Sequence, residues 1–277
     1  MSATTFPAQP IKQKASLGRR LQAGFNKRAL LWLAVGLFLF LYIPILILII
    51  FSFNESSQIG LWTGFSWRWY GELFRDEAVL QALRLSLWVA FWSTLISTFL
   101  GTLTALAMER HRFWGKITYD AILYLPIIIP DIVMALSTLL FFVVLGVALS
   151  RYTILIAHVA FNISFVAIVV RARLADMSST LEEAAADLGA NEWQTFRRVT
   201  MPLLTPGIVS GALLAFTLSL DDFVITFFVA GPGSTTLPVR VYSMIRFGLT
   251  PEVNAVSTLM FFGSTLLVVI SLFLQRR

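Results

Sequence analysis

Apolar residues gather into six long runs, at about 29–52, 85–108, 121–148, 152–170, 204–230 and 255–274, with polar segments between them. Each run approaches or exceeds the roughly 20 residues that a helix needs to cross a hydrocarbon layer ~30 Å thick, where backbone N–H and C=O groups must be bonded within the segment itself. Apart from Asp131, Asp221 and Asp222, the runs contain no Asp, Glu, Lys or Arg. The period-two alternation of membrane barrel strands is missing. The pattern therefore predicts an all-α integral membrane protein with six transmembrane helices. The first run is too long for a signal-peptide core and lacks a small-residue cleavage site, so it reads as a retained helix. Residues 1–28, with Pro, Gln, Ser and basic side chains, read as a disordered basic tail, and 29–277 as one membrane domain without an internal repeat.

Composition removes most other classes. Of 277 residues, 57% are hydrophobic and 13% charged, with a mean hydropathy of +0.80, well beyond the ~45–50% apolar content of soluble domains. With no Cys and two His, thiolate zinc sites, iron–sulfur clusters, disulfides and a Cys nucleophile are excluded, and no metal site is expected. The 21 Lys and Arg give a formal charge of +6, but they do not interleave with aromatics along one face, as a nucleic-acid groove requires. Their placement instead orients the chain in a membrane. Fifteen fall in the tail, the loops after the second and fourth runs, and the C-terminus, against six on the other side, which places both termini in the cytoplasm.

The loop after the fourth run, about 179–202, is the most structured polar segment. Thr180 with Glu183 fits a capping box, Leu181, Ala184, Ala185 and Leu188 form a helical apolar stripe, and Gly189 supplies a helix-ending residue. Asn191 with Gln194 caps a second helix, which carries Trp193 and Phe196 and is expected to stop before Pro202. Such a pair of capped helices suits docking to another protein, although an amphipathic helix lying on the bilayer would share parts of the pattern.

Glu183-Ala184-Ala185, then Gly189 after three residues, then Val199-Thr200-Met201-Pro202 after nine more, resembles the EAA loop of ABC-importer permease subunits. Val and Met replace the family's Ile and Leu. The resemblance covers nearly the whole chain beyond residue 28. It implies the type I importer permease architecture, with Glu183, Ala184, Ala185, Gly189 and Pro202 in the segment that couples to a separate ATPase subunit. ATP and Mg would then be bound by that partner. No phosphate-binding Gly-rich loop ending in Gly-Lys-Ser or Gly-Lys-Thr occurs in this chain, so no cofactor and no catalytic residue is expected in it.

An ionisable group inside a span costs at least ~2.5–3.5 kcal/mol near the bilayer centre, which makes each one a candidate for function. At ~1.5 Å rise per residue, Asp131 falls near mid-depth and the pair Asp221 and Asp222 in the outer half. Carboxylates at that depth favour a cation and repel an oxyanion. Asp131 follows Pro126 and Pro130, so it either lines a pathway or caps the resumed half of a broken helix. Neighbouring helix positions are ~100° apart, so Asp221 and Asp222 point in different directions, one toward the pathway and the other toward a partner helix. His158 and Asn162, one turn apart on the fourth run, are expected to hydrogen-bond between helices rather than act as ligands.

Leu218-Ser219-Leu220-Asp221-Asp222-Phe223-Val224-Ile225, followed by Gly231-Pro232-Gly233-Ser234-Thr235-Thr236-Leu237-Pro238, is similar to the fifth-span region of spermidine/putrescine importer permeases. Phe51-Ser52-Phe53-Asn54, Trp67-Arg68-Trp69-Tyr70 and Leu125-Pro126-Ile127-Ile128-Ile129-Pro130-Asp131 also resemble that subfamily. The likeness implies an ATP-driven polyamine permease in a bacterial inner membrane. Its partners would be a second homologous permease, two ATPase subunits, a periplasmic polyamine-binding protein and membrane lipid. The alternatives are an ABC permease for another solute and an ion-coupled secondary transporter.

Overall fold

The computed structural model describes residues 17–58, 60–178, 180–247 and 251–275, which are helical apart from connecting segments and one antiparallel bridge between Asn54 and Phe65. The chain divides into two units, 1–50 and 51–277. The first contains nearly all of α1 (Leu17–Phe51), which begins eleven residues before position 28. Helix α1 thus takes in residues 17–28 of the segment read as a tail, while residues 1–16 lie outside the described residues. From Leu17 to Arg28 the sequence has good helix formers (Leu, Arg, Gln, Ala, Lys) and no Pro, and extending a helix that is already nucleated is easier than starting one.

The second unit is a bundle. It is built from α2 (Arg68–Leu73), α3 (Glu77–Arg110), α4 (Lys116–Ile128), α5 (Asp131–Val144) and α6 (Arg151–Ala175). The short α7 (Thr180–Asp187) and α8 (Glu192–Thr195) lead into α9 (Met201–Asp221), then α10 (Val224–Val229), α11 (Leu237–Phe247) and α12 (Pro251–Gln275). Among the described residues, five helices are long and apolar enough to cross a membrane, and the bent pair α4 and α5 makes a sixth crossing if counted as one span.

The core lies where α3, α6 and α9 meet, with Val166, Val170, Leu204 and Ala215 fully buried. Between apolar helices in lipid, association depends on close packing, which small residues permit. A Cβ added to Gly101 on α3 would stand 2.8 Å from Val166 Cβ on α6, so glycine there sets the closeness of the two spans. Asp76 caps α3 by accepting from Ala78 N at 2.8 Å, and Ser150 with Thr153 forms a capping box at the start of α6. In the segment before α2, buried Asn54 donates to Leu61 O (2.7 Å), accepts from Thr63 N (3.0 Å) and offers its carbonyl to Trp69 Nε1 (2.6 Å).

Two of the six runs depart from continuous helices. The third breaks at Ile129-Pro130, and α4 and α5 differ in direction by 112°. Proline lacks the N–H that would continue α4 and forces the preceding residue to be extended, as Ile129 is, at φ −73° and ψ 132°. The fifth run ends as a helix at Asp221, where Asp222 turns extended (φ −65°, ψ 123°), and resumes as α10. The expectation for α8 is also corrected. It does not stop before Pro202 but runs through a π-turn, Phe196–Thr200, into α9. Pro202, second in α9, has no N–H to give, and the wider turn lets Met201 N reach Phe196 O instead.

Candidate functional site

The two breaks face one cavity of about 350 Å³. Pro126, Asp131 and Met134 line it from the third span, Phe161 and Phe165 from α6, and Thr217, Asp221, Asp222 and Phe223 from the end of α9 and the break beyond it. All three acidic residues singled out in the sequence thus come together, and among the described residues no Lys or Arg lines the cavity. Phe161 and Phe165 stand edge to face at 6.3 Å, and such rings present their π faces to cations. Among the described residues, no three Asp, Glu, His or Cys side chains are grouped as one metal ion would need.

The three carboxylates differ in their attachments. Asp131 is the first residue of α5, is exposed, and makes no hydrogen bond or ion pair among the described residues. Its side chain does not cap the resumed helix, because Pro130 occupies the cap position without a side-chain bond. Asp221 accepts from Ser264 Oγ on α12, at 3.0 Å to each oxygen. It also borders a largely apolar crevice of about 460 Å³ between α3, α9 and α12. Asp222, at 12% side-chain exposure, points instead toward α6 and α10. Its oxygens accept from Ile225 N (3.3 Å), Thr226 N (2.8 Å) and Thr226 Oγ1 (2.8 Å), so it caps the helix that follows the break.

Behind Asp222 runs a buried polar chain. Ser93 Oγ on α3 donates to Ser219 Oγ (2.9 Å), which lies 2.7 Å from His158 Nδ1; His158 Nε2 lies 3.0 Å from Thr226 Oγ1 and 3.3 Å from Asp222 Oδ2. An imidazole with its hydrogen on Nε2 satisfies every member, since Nδ1 then accepts from Ser219 Oγ, Nε2–H donates toward Thr226 Oγ1, and Thr226 Oγ1 donates to Asp222 Oδ2. The chain joins α3, α6, α9 and α10 at the fifth-span break. Of the two polar residues expected to bond between helices, His158 does so; Asn162 does not, since its side-chain oxygen and nitrogen are fully buried with no hydrogen-bond partner. Ser93, Ser219, Thr226 and Ser264 were not marked by sequence pattern. Their signal is a hydroxyl on an otherwise apolar helix, too common to single out.

At the other end of the bundle, α7 and α8 form the expected helix pair. Gly189 ends α7 at φ +85°, where a Cβ would be strained, and Asn191 and Gln194 close their reciprocal capping box at 2.8 and 3.0 Å. The capping box expected at Thr180 and Glu183 is replaced by a bond from two residues earlier: Ser178 Oγ accepts from Thr180 N at 3.3 Å, and the helix starts at Thr180. Glu183 and Ala184 are exposed, Ala185 is half-buried, and Pro202 stands in the first turn of α9. Leu188 is 90% and Trp193 66% exposed, so the apolar face of the pair is not used within this chain.

Broken membrane helices around a cavity that holds three carboxylates in a largely apolar wall, with an exposed helix pair elsewhere on the bundle, fit a polytopic transport protein. The chain belongs to the family of binding-protein-dependent transport system inner membrane components, whose model matches residues 97–277. It is 43% identical to the spermidine/putrescine transport system permease protein PotC of Haemophilus influenzae, covering 82% of this chain and 88% of that one. It is 45% identical to the putrescine transport system permease protein PotI of Escherichia coli, covering 75% and 76%. The fold matches a subunit in the crystal structure of a bacterial ABC transporter involved in the import of the acidic polysaccharide alginate, with a TM-score of 0.70 at 19% identity over 94% of this chain and 97% of that one. The protein is therefore a multi-pass inner-membrane permease subunit of an ABC importer, not an enzyme, and an ion-coupled carrier working alone is set aside.

Proposed function

We propose that this permease carries polyamines, putrescine or spermidine, and contributes half of the translocation pathway beside a second homologous permease. In this reading both termini are cytoplasmic, two ATPase subunits dock on α7 and α8, and a periplasmic binding protein delivers the substrate to the opposite face. The observation that carries it is the cavity holding Asp131, Asp221 and Asp222 with aromatic rings and no lining cation. A linear polyamine has ammonium groups separated by methylenes, so it matches carboxylates spread around a cavity with apolar wall between them. A compact metal cation would need its ligands gathered at one point. Asp131, whose side chain has no partner among the described residues, is the carboxylate best placed to meet the substrate, and Asp221 the next. Binding is brief, because transport requires release.

Uptake of radiolabelled putrescine and spermidine tests the reading, in cells that lack other polyamine importers and carry the wild-type or variant gene. Loss of saturable uptake on deletion, and a fall of roughly tenfold in Asp131→Asn or Asp221→Asn at normal membrane abundance, are expected for a charge contact worth about 1.4 kcal/mol. Unchanged polyamine uptake on deletion would leave an ABC permease for another solute.

A further inference from the structure

The α7–α8 pair is tied to the spans by side chains that the EAA pattern does not contain. Glu182 Oε1 accepts from Thr200 Oγ1 at 2.6 Å and from Arg110 Nη2, and that same nitrogen lies 3.4 Å from Thr200 Oγ1. Arg110 is the last residue of α3, and Thr200, fully buried, is the last residue of the π-turn that leads into α9. One triangle therefore joins α7 to the second and fifth spans. Glu109, next to Arg110, lies 3.8 Å from Arg171 on α6, which also pairs with Asp120 on α4, so the end of α3 is fixed on its other side. Glu183 is different: it is exposed and makes no hydrogen bond or ion pair among the described residues.

An eight-residue helix does not hold itself together in water, and the large apolar side chains Leu181 in α7 and Leu188 just after it are exposed. Its orientation therefore depends on its ties to the bundle. A carboxylate shared between a guanidinium and a hydroxyl is a charge-assisted, directional tie. It also sits at the C-terminal end of α3, where the helix dipole favours the Arg110 cation.

We propose that Glu182, Arg110 and Thr200 form the clamp through which movement of α7 is passed to the second and fifth spans, and that the adjacent glutamates divide the work. Glu182 faces the bundle and holds it, and Glu183 is left for the ATPase. The three are positioning residues, and the proposal rests on the reading that α7 and α8 dock on that subunit.

The test uses the complete transporter, with both permeases, the ATPase subunits and the polyamine-loaded binding protein, in proteoliposomes where putrescine uptake and ATP hydrolysis are measured together. Glu182→Ala and Arg110→Ala should keep the ATPase subunits bound and hydrolysis near normal, yet lower uptake per ATP by roughly fivefold or more, the scale of a coupling free energy. The exchanged pair, Arg110→Glu with Glu182→Arg, should recover most of it, which a general packing defect would not. Normal uptake per ATP in both single variants, or no recovery in the exchanged pair, overturns the clamp. If the alanine variants fail to assemble, Glu182→Gln is measured instead, and normal uptake per ATP in that variant also overturns it. If the ATPase subunits do not copurify even with the wild-type chain, the docking reading falls, and the clamp with it.

Discussion

The third and fifth spans both break beside the same cavity, but one break is made by the backbone and the other by side chains. At Pro130 the missing N–H and the steric restriction on Ile129 impose the bend, and the adjacent Asp131 side chain has no partner among the described residues. At Asp222 no proline is present. The break holds because a carboxylate satisfies the first donors of α10 while His158 backs it from α6. The same residue type thus has opposite standing in the two places. Asp222 is engaged in capping α10, whereas the Asp131 side chain has no hydrogen-bond or ion-pair partner among the described residues.

Substitutions can separate the two. Asp222→Ala leaves Ile225 N, Thr226 and His158 without their buried acceptor and should destabilise the protein by about 3 kcal/mol. It is read as a lowered midpoint of thermal unfolding of the purified complex in detergent, and an unchanged midpoint would mean that the backbone alone keeps the break. Pro130→Ala should cost less, about 0.4–1 kcal/mol, chiefly through the freedom it returns to the unfolded chain. It should also relax the bend between α4 and α5. Because the natural chain has no Cys, spin labels on cysteines at Ile122 and Leu140 report that distance directly, and an identical distance distribution would assign the bend to packing instead. Asp131→Asn should have the smallest effect on stability, leaving the midpoint where it is while uptake falls. A lowered midpoint with normal uptake would exchange the roles assigned to the two carboxylates.

How much of this was readable beforehand follows the same division. The spans were legible because lipid demands long uninterrupted apolar helices, and the bend at Pro130 because proline's restriction is local. Gly189 and the Asn191–Gln194 box were legible for the same reason: their chemistry acts within four residues. The break after Asp221 was not, because nothing in Leu220-Asp221-Asp222-Phe223 forbids a helix. It depends on His158, more than sixty residues earlier in the chain, meeting Asp222. Glu182 was passed over in favour of Glu183 on similar grounds, since its partners Arg110 and Thr200 lie 72 and 18 residues away.

The π-turn at Phe196–Thr200 fixes a phase. Each residue added to or removed from a helix rotates everything beyond it by about 100°, so the extra residue held in this turn sets the azimuth at which α7 and α8 stand relative to the cavity-lining face of α9. Removing one residue there would leave every side chain of the helix pair and of the cavity intact. It would nonetheless turn the two ends of the permease out of register, as a coupling shaft keyed one tooth wrong turns with its load misaligned.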